Sequence, residues 1–350
     1  SETDSLTFEY TVTDNDGAQQ SDIVTVYVSK TIYRDTFDDV TSQSAWTIVD
    51  DSGNPSNWIV AAGEFYQFSN VHDDAFVESY HTGTFAYLDE DAFTASSAFR
   101  FSVDISPLTN ANSVNREGND VGIMFPFDKD NSDTYFRLSL NSRYGFTRLE
   151  RREGSSFETL AVNAIGYVDD EPIKITVEVD MDKFIIFIND EPIFAESNLT
   201  LSPGTVALYC QDKVSFDNVV ISENILGPQV VVSSPRAYSI ALTPGDGNTL
   251  SAQAVVLNKP AGSNVYFSLD DGDEIDSSEI GGDLHSAQFP DDVAVGDHVV
   301  SAILRDADGL ELSRDTNLMV GVGGNYLHQQ TRRDRAGIGN CPRARRGTRG

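Results

Sequence analysis

Three sets of residues have the types and spacing to do chemistry. In the first, Tyr135, Arg137 and Ser139 alternate with Phe136, Leu138 and Leu140, so the two triplets fall on opposite faces of one strand. The next alternating run places Tyr144, Phe146 and Arg148 together. With the phenylalanine and leucines facing a core, Tyr135, Arg137, Tyr144 and Arg148 make an exposed patch of rings and guanidinium groups. Such a patch suits a sugar, whose apolar face stacks on aromatic rings and whose hydroxyls seek fixed polar partners. The surrounding arginines, Arg143, Arg148, Arg151 and Arg152, also suit an anionic polysaccharide through bidentate pairing. The competing reading pairs these arginines with local acids such as Glu150 and Glu153.

The second set is Asp35, Asp38, Asp217 and Asn218, near the two ends of a long strand-rich block. First and last strands of a sandwich commonly pair, which brings these oxygens within reach of one calcium ion. Calcium takes six to eight oxygens at about 2.3–2.6 Å. The alternative is that Asp217 and Asn218 hydrogen-bond a turn while Asp35 sits in solvent. Further acidic stretches, Asp128–Asp133 and Asp270–Asp276, lack the glycine and glutamate positions of a calcium-binding helix–loop–helix and read as solvated loops.

The third set is Glu178, Asp180 and Asp182. Alternate carboxylates on one strand can do glycosidic acid–base work when two stand about 5–5.5 Å apart. Here Asp180-Met-Asp-Lys183 separates two apolar alternating runs, Ile173–Val179 and Phe184–Ile188. That predicts a hairpin turn, and a turn there removes the catalytic face. No catalytic residue is therefore assigned. The five histidines form no close pair, His72 with Asp73, Asp74 and His81 reading as exposed loop residues, and no Gly-x-Ser-x-Gly elbow occurs. Cys210 follows an apolar run and reads as a core thiol, and with Cys341 it makes no disulfide framework.

The elements that must position these residues are strands. Short alternating runs are separated by Gly, Asn, Asp and Pro clusters about every ten residues, the pattern of an all-β sandwich. No long stretch shows a helical stripe. The 350 residues carry 55 acidic against 24 basic groups, a net charge of −31, with 39% hydrophobic content that is ample for cores. This acidity disfavours nucleic acid and anionic lipid as partners. No apolar run is long enough for membrane insertion, and no signal peptide opens the chain. Few cysteines and strong acidity point to an extracellular or cell-surface setting where calcium orders carboxylates.

Punctuation divides the chain. Residues 1–30 read as the last hairpin of a domain, 31–226 as one long β block, 229–322 as a sandwich of about a hundred residues, and 325–350 as a basic disordered tail. The tail holds seven arginines against one acid, net +6, leaving −37 on the first 324 residues. It reads as a non-native scar or truncated start, as an anion-binding arm, or as a segment docked on the acidic body. Two stretches echo each other: Thr13-Asp-Asn-Asp-Gly17 and Arg305-Asp-Ala-Asp-Gly309 each sit between alternating runs, with glycine supplying the positive φ of a tight turn.

Family resemblances follow from these residues. Tyr10–Gly17 with Val24–Val28 resembles the end of bacterial cadherin-like or immunoglobulin-like repeats. Ser234-Pro235, Leu250–Ala254, Val265–Leu269, Val295–His298 and Asp306–Gly309 resemble a bacterial immunoglobulin-like module. Asp35–Asp38, Trp46, Trp58, Asn119–Phe125, Asp133–Arg137, Gly204–Tyr209 and Phe216–Val219 resemble a concanavalin-like, laminin-G-like jelly roll. The resemblance implies an antiparallel two-sheet sandwich, often calcium-bound and commonly a non-catalytic part of adhesins and carbohydrate-active proteins. The function expected is a binding and spacer region engaging surface glycan or matrix. The alternative is an accessory region of a secreted hydrolase whose catalytic domain lies elsewhere. Oligomeric state is left open.

Overall fold

A computed structural model describes residues 4–51, 55–71, 83–89, 98–108, 120–130, 133–142, 145–164, 166–168, 170–201, 204–223, 227–236, 250–289, 293 and 297–319. Tyr144, the His72–His81 stretch, Cys341 and the 325–350 tail lie outside these residues.

Strands β1 (Asp4–Thr13) and β2 (Gln19–Val28) form an isolated antiparallel hairpin. Leu6, Phe8, Tyr10 and Val12 share one face with Val24, Val26 and Val28, and all are exposed. Strands β3 (Thr31–Asp35), β4 (Trp46–Asp50), β5 (Trp58–Ala61), β6 (Glu64–Gln67), β7 (Thr84–Leu88) and β8 (Ala98–Pro107) begin the next unit. It continues with β9 (Asp120–Phe127), β10 (Thr134–Asn141), β11 (Phe146–Glu153), β12 (Ser156–Asn163) and β13 (Ile173–Asp180). It closes with β14 (Lys183–Ile188), β15 (Glu191–Glu196), β16 (Thr205–Cys210) and β17 (Val214–Ser222). One sheet has the order β12-β11-β10-β9-β16-β7-β4; the other runs β15-β14-β13-β8-β17-β6-β5, with β3 also paired to β17. The single helix among the described residues is a 3-10 turn, Val40–Ala45, whose first N–H groups are capped by Asp39.

Alternation explains why the sheets stack. Phe99, Phe101, Val103 and Ile105 of β8 meet Val121, Ile123 and Phe125 of β9, together with Ile175, Val177, Leu208 and Phe216. Burying such rows is worth roughly 25 cal/mol per Å² of apolar surface, and it fixes register, because a one-residue slip turns every row outward.

The second unit comprises β18 (Gln229–Ser234), β19 (Ser251–Leu257), β20 (Asn264–Leu269), β21 (Ile275–Asp276) and β22 (Ser278–Gly281), then β23 (Leu284–Gln288), β24 (His298–Arg305) and β25 (Glu311–Met319). Two four-stranded sheets, β18-β19-β23-β22 and β21-β20-β24-β25, enclose Val230, Ala254, Val256, Phe267, Val300, Ala302 and Leu304. The fold is therefore all-β and antiparallel: a jelly-roll sandwich followed by a second, smaller sandwich of two four-stranded sheets.

The two echoing turns are the same structure. Asp14 Oδ1 accepts from the Asp16 and Ala18 amides at 3.0 and 2.8 Å, and Asp306 Oδ1 accepts from the Asp308 and Leu310 amides at 2.9 and 2.8 Å. Gly17 (φ 84°) and Gly309 (φ 87°) close both turns in the left-handed region. What differs is the cover: Val300, Ala302 and Leu304 are buried, whereas the matching row of β1 is not.

The two sandwiches touch. Ile185 and Ala195 of the jelly roll pack on Val231, Val255 and Leu257 of the second sandwich. Around this apolar centre Lys183 pairs with Asp283, Arg236 with Glu196 at 2.8 Å, and Gln229 Nε2 donates to Glu178 at 3.2 Å. The second sandwich thus covers part of the outer face of the eight-stranded sheet.

Candidate functional site

On β10 the alternation falls as its residues require: Phe136, Leu138 and Leu140 enter the main core, and Tyr135, Arg137, Ser139 and Asn141 stand on the outer face. Register then assembles that face. Tyr135 lies opposite Arg152, Arg137 opposite Glu150, and Ser139 opposite Arg148. From β9, Met124 sits beside Arg137, Gly122 beside Ser139 and Asp120 beside Asn141. From β16, Tyr209 lies opposite Gly122. Phe157 of β12 neighbours Arg152.

Charge and rings interleave here. Arg137 Nη2 donates to Glu150 Oε2 at 2.7 Å, and the guanidinium stacks over Tyr209 at 4.6 Å and Phe157 at 5.1 Å. Arg148 lies 3.2 Å from Glu150 Oε1 and 3.3 Å from Asp120 Oδ2, with Phe146 beneath it at 5.1 Å. Arg152 reaches Asp133 at 2.6 Å, Asp51 at 3.2 Å and the Tyr135 hydroxyl at 3.1 Å. Asn141 Nδ2 donates to Asp120 Oδ1 at 2.6 Å.

Burial sets the electrostatics. It pushes the Asp120 carboxyl above its ordinary range, with the Asn141 hydrogen bond and Arg148 offsetting only part. It raises the Tyr209 phenol far above usual and the Tyr135 phenol less so. For Arg137 burial acts downward, but the neighbouring Tyr209 and Glu150 outweigh it and hold the guanidinium charged.

The expected exposed patch is corrected. Tyr135 is 1% exposed and Arg137 0%. The outer face carries a second apolar layer of Phe85, Met124, Phe127, Tyr135, Ala207 and Tyr209, so alternation placed both residues on the right face while the cover made it an interior. The arginines are paired with acids: Arg137 with Glu150, and Arg151 with Glu153 at 3.5 Å and Glu158 at 2.7 Å. Arg148 is partly exposed, and Tyr144 lies outside the described residues. Sequence reasoning did not select Asp120, Ser139, Glu150 or Tyr209 as site residues. Alternation against Leu208 marks the face of Tyr209, but its neighbour across β9 comes from a distant part of the chain.

Two hydroxyls stand out. Tyr209 OH and Ser139 Oγ are buried with no hydrogen-bond partner among the described residues. Both flank Gly122 in one row. A buried polar group without a partner is uncommon and calls for one.

The four residues expected to hold a metal are not gathered into one cage. Strands β3 and β17 do pair, with Asp35 opposite Val219. The Asp35 carboxylate, however, accepts from the Phe37 amide at 2.8 Å, the Tyr33 hydroxyl at 3.0 Å and the Trp46 indole at 3.3 Å. Asp38 accepts from Thr36, and Asn218 donates to Asp104 at 2.9 Å and to Asp217. Burial first, then the carboxylates of Glu64, Asp104 and Asp38, raises the pKa of Asp217. Among the described residues no three His, Cys, Asp or Glu side chains form a group able to hold an ion. Asp35→Asn is therefore expected to lower stability by about 2 kcal/mol through its buried hydrogen bonds. The loss should be the same in calcium and in EGTA; a loss seen only with calcium would reinstate a metal role.

Glu178 and Asp182 are separated by the hairpin turn the sequence predicts. Met181 has φ 56° and Asp180 pairs with Lys183 across the turn. Glu178 is buried at the junction of the sandwiches, held by Arg100 at 3.2 Å and by Gln229, so these carboxylates form no open acid–base pair. Cys210 is fully buried, and burial pushes its thiol far up.

No family model matches the chain, and no curated protein matches it. Among solved structures it is similar to carbohydrate-binding module CBM66 from Bacillus subtilis, at 17% identity and a TM-score of 0.40, over 51% of this chain and 96% of that one. It is similar to a Bacillus subtilis protein of unknown function with a galectin-like fold, at 12% identity and a TM-score of 0.42, over 56% and 98%. A third is domain 4 of an extracellular arabinanase from Geobacillus stearothermophilus, in complex with arabinotriose, at 14% identity and a TM-score of 0.36, over 56% and 93%.

Proposed function

We propose that this chain is a non-catalytic, glycan-binding region of an extracellular or cell-surface multidomain protein, with the outer face of the seven-stranded sheet as its binding face. The observation that carries the reading is the pair of buried hydroxyls, Tyr209 OH and Ser139 Oγ, which have no hydrogen-bond partner among the described residues and lie among stacked rings, guanidinium groups and carboxylates. Ligand hydroxyls both donate and accept, so a ligand that parts the side chains covering this layer can supply what these groups lack and accept from the arginines beside them. Rings with adjoining polar groups are the ordinary furniture of a saccharide site. The strong acidity and scarcity of cysteine support the extracellular setting. The second sandwich, fixed to the jelly roll through Ile185, Val231 and Leu257, serves as a spacer.

Screening the chain on a glycan array and titrating the best ligand tests the reading. Tyr209→Phe removes a hydroxyl that has no partner among the described residues, so the melting midpoint should stay within about 2 °C while affinity falls about tenfold, equivalent to about 1.4 kcal/mol. Unchanged affinity in a folded Tyr209→Phe protein would move the site elsewhere. Failure to bind any glycan would end the proposal.

A further inference from the structure

We infer that the ligand of this face is an uncharged saccharide, and that the face discriminates against uronates and sulfated sugars; the inference rests on the glycan-binding reading above. The described arginines that make the region look suited to an acidic polymer are already engaged, Arg143 lying outside the described residues. Arg137 is held by Glu150 at 2.7 Å, Arg148 stands between Asp120 and Glu150 at 3.3 and 3.2 Å, and Arg152 is shared by Asp133 and Asp51 at 2.6 and 3.2 Å. Three guanidinium groups therefore face four carboxylates, so the cluster carries no positive surplus.

An acidic ligand would have to displace one of these carboxylates from its arginine. Glu150 is 1% exposed and Asp120 3%, so the displaced group would stay buried as an uncompensated charge, which is strongly unfavourable. The rest of the molecule acts in the same direction. A net charge of −31 repels anions before they reach the sheet. A neutral hydroxyl meets neither obstacle. It can donate to a carboxylate at the open edge of the network, Asp133 or Asp51, that keeps its arginine, since a carboxylate has about four acceptor positions, and it does so at no cost in charge. The acids thus act as a selectivity device, with the arginines orienting them.

The test is calorimetric titration of the whole chain with neutral polysaccharides (arabinan, galactan, inulin, pullulan) and with polygalacturonate and chondroitin sulfate, each at 50 and 500 mM NaCl. The expected result is binding to at least one neutral polymer with less than a twofold change in affinity between the two salt concentrations, and none to the acidic pair. Asp120→Asn, which removes one carboxylate, should then raise affinity for polygalacturonate from undetectable to measurable. Binding confined to the acidic polymers, with affinity falling tenfold or more in high salt, would overturn the inference while leaving glycan binding intact. Binding to none of the six polymers, with the array also blank, would overturn the glycan reading and this inference with it.

Discussion

Replacing Glu150 by alanine is expected to destabilise the jelly roll by about 3–5 kcal/mol. The carboxylate accepts from Arg137 Nη2 at 2.7 Å and stands beside Arg148, and both members of the Arg137–Glu150 pair are buried. Truncating the acid leaves a guanidinium in an apolar layer with its main counter-charge gone. The rings of Tyr209 and Phe157 on either side retain their attraction for the cation but supply no acceptor in the plane of its N–H groups. The charge-free double replacement, Arg137→Met with Glu150→Leu, should recover most of the loss, because buried pairs exchanged for apolar residues of similar volume are often neutral or stabilising. Denaturant titration of the two single variants and the double variant gives the coupling energy directly. A cost below about 1 kcal/mol for Glu150→Ala would mean that this face is wetter than its burial shows. The double variant should be stable yet unable to bind glycan, which separates the pair's structural effect from its role at the face.

Gly122→Ala should cost about 3 kcal/mol or more. A Cβ at this position comes under 3.0 Å from the Leu138 carbonyl, and backbone cannot swing aside as a long side chain does. Gly122 lies between Ser139 on β10 and Tyr209 on β16, so the shift that relieves the clash also separates the two unpartnered hydroxyls. Stability and glycan affinity should therefore fall together in this variant, in contrast to Tyr209→Phe, where affinity alone falls. Gly17→Ala provides the comparison. Open space surrounds that position and only its positive φ opposes the change, so about 1 kcal/mol is expected there. Thermal melts of both variants rank the two effects; equal small shifts would show that β9 and β10 are farther apart than described.

Features that depend on neighbours along the chain are legible in the residues alone. Alternation over 135–140 and 173–179 made these segments strands and sorted Tyr135, Arg137 and Ser139 from Phe136, Leu138 and Leu140. Side-chain direction in a strand has period two and needs nothing remote to be true. The Asp-x-Asp-Gly stretches closed hairpins because aspartate bonds the amides two and four residues on and glycine accepts positive φ. The polar break at Asp180–Lys183 became a turn for the same local reason, which was enough to remove Glu178 and Asp182 as a catalytic pair.

Tertiary structure alone decided what covers each face. Arg137 reads as exposed when the strand is considered singly, because polar residues opposite a core normally meet water. It is buried because Tyr209 and Met124 arrive from β16 and β9 and Phe157 from β12. Asp120 and Glu150 then neutralise the arginines, turning an anion-binding expectation into a charge-balanced network. Asp35, read as a metal ligand, finds its partners in the Phe37 amide and the Trp46 indole instead. Glu178 vanishes beneath a second sandwich that folds from residues after Gln229. Each of these outcomes depends on strand order and on packing between separate sheets. Those are set by the summed burial of many apolar rows, and no local pattern of residues encodes which surface a distant segment will cover.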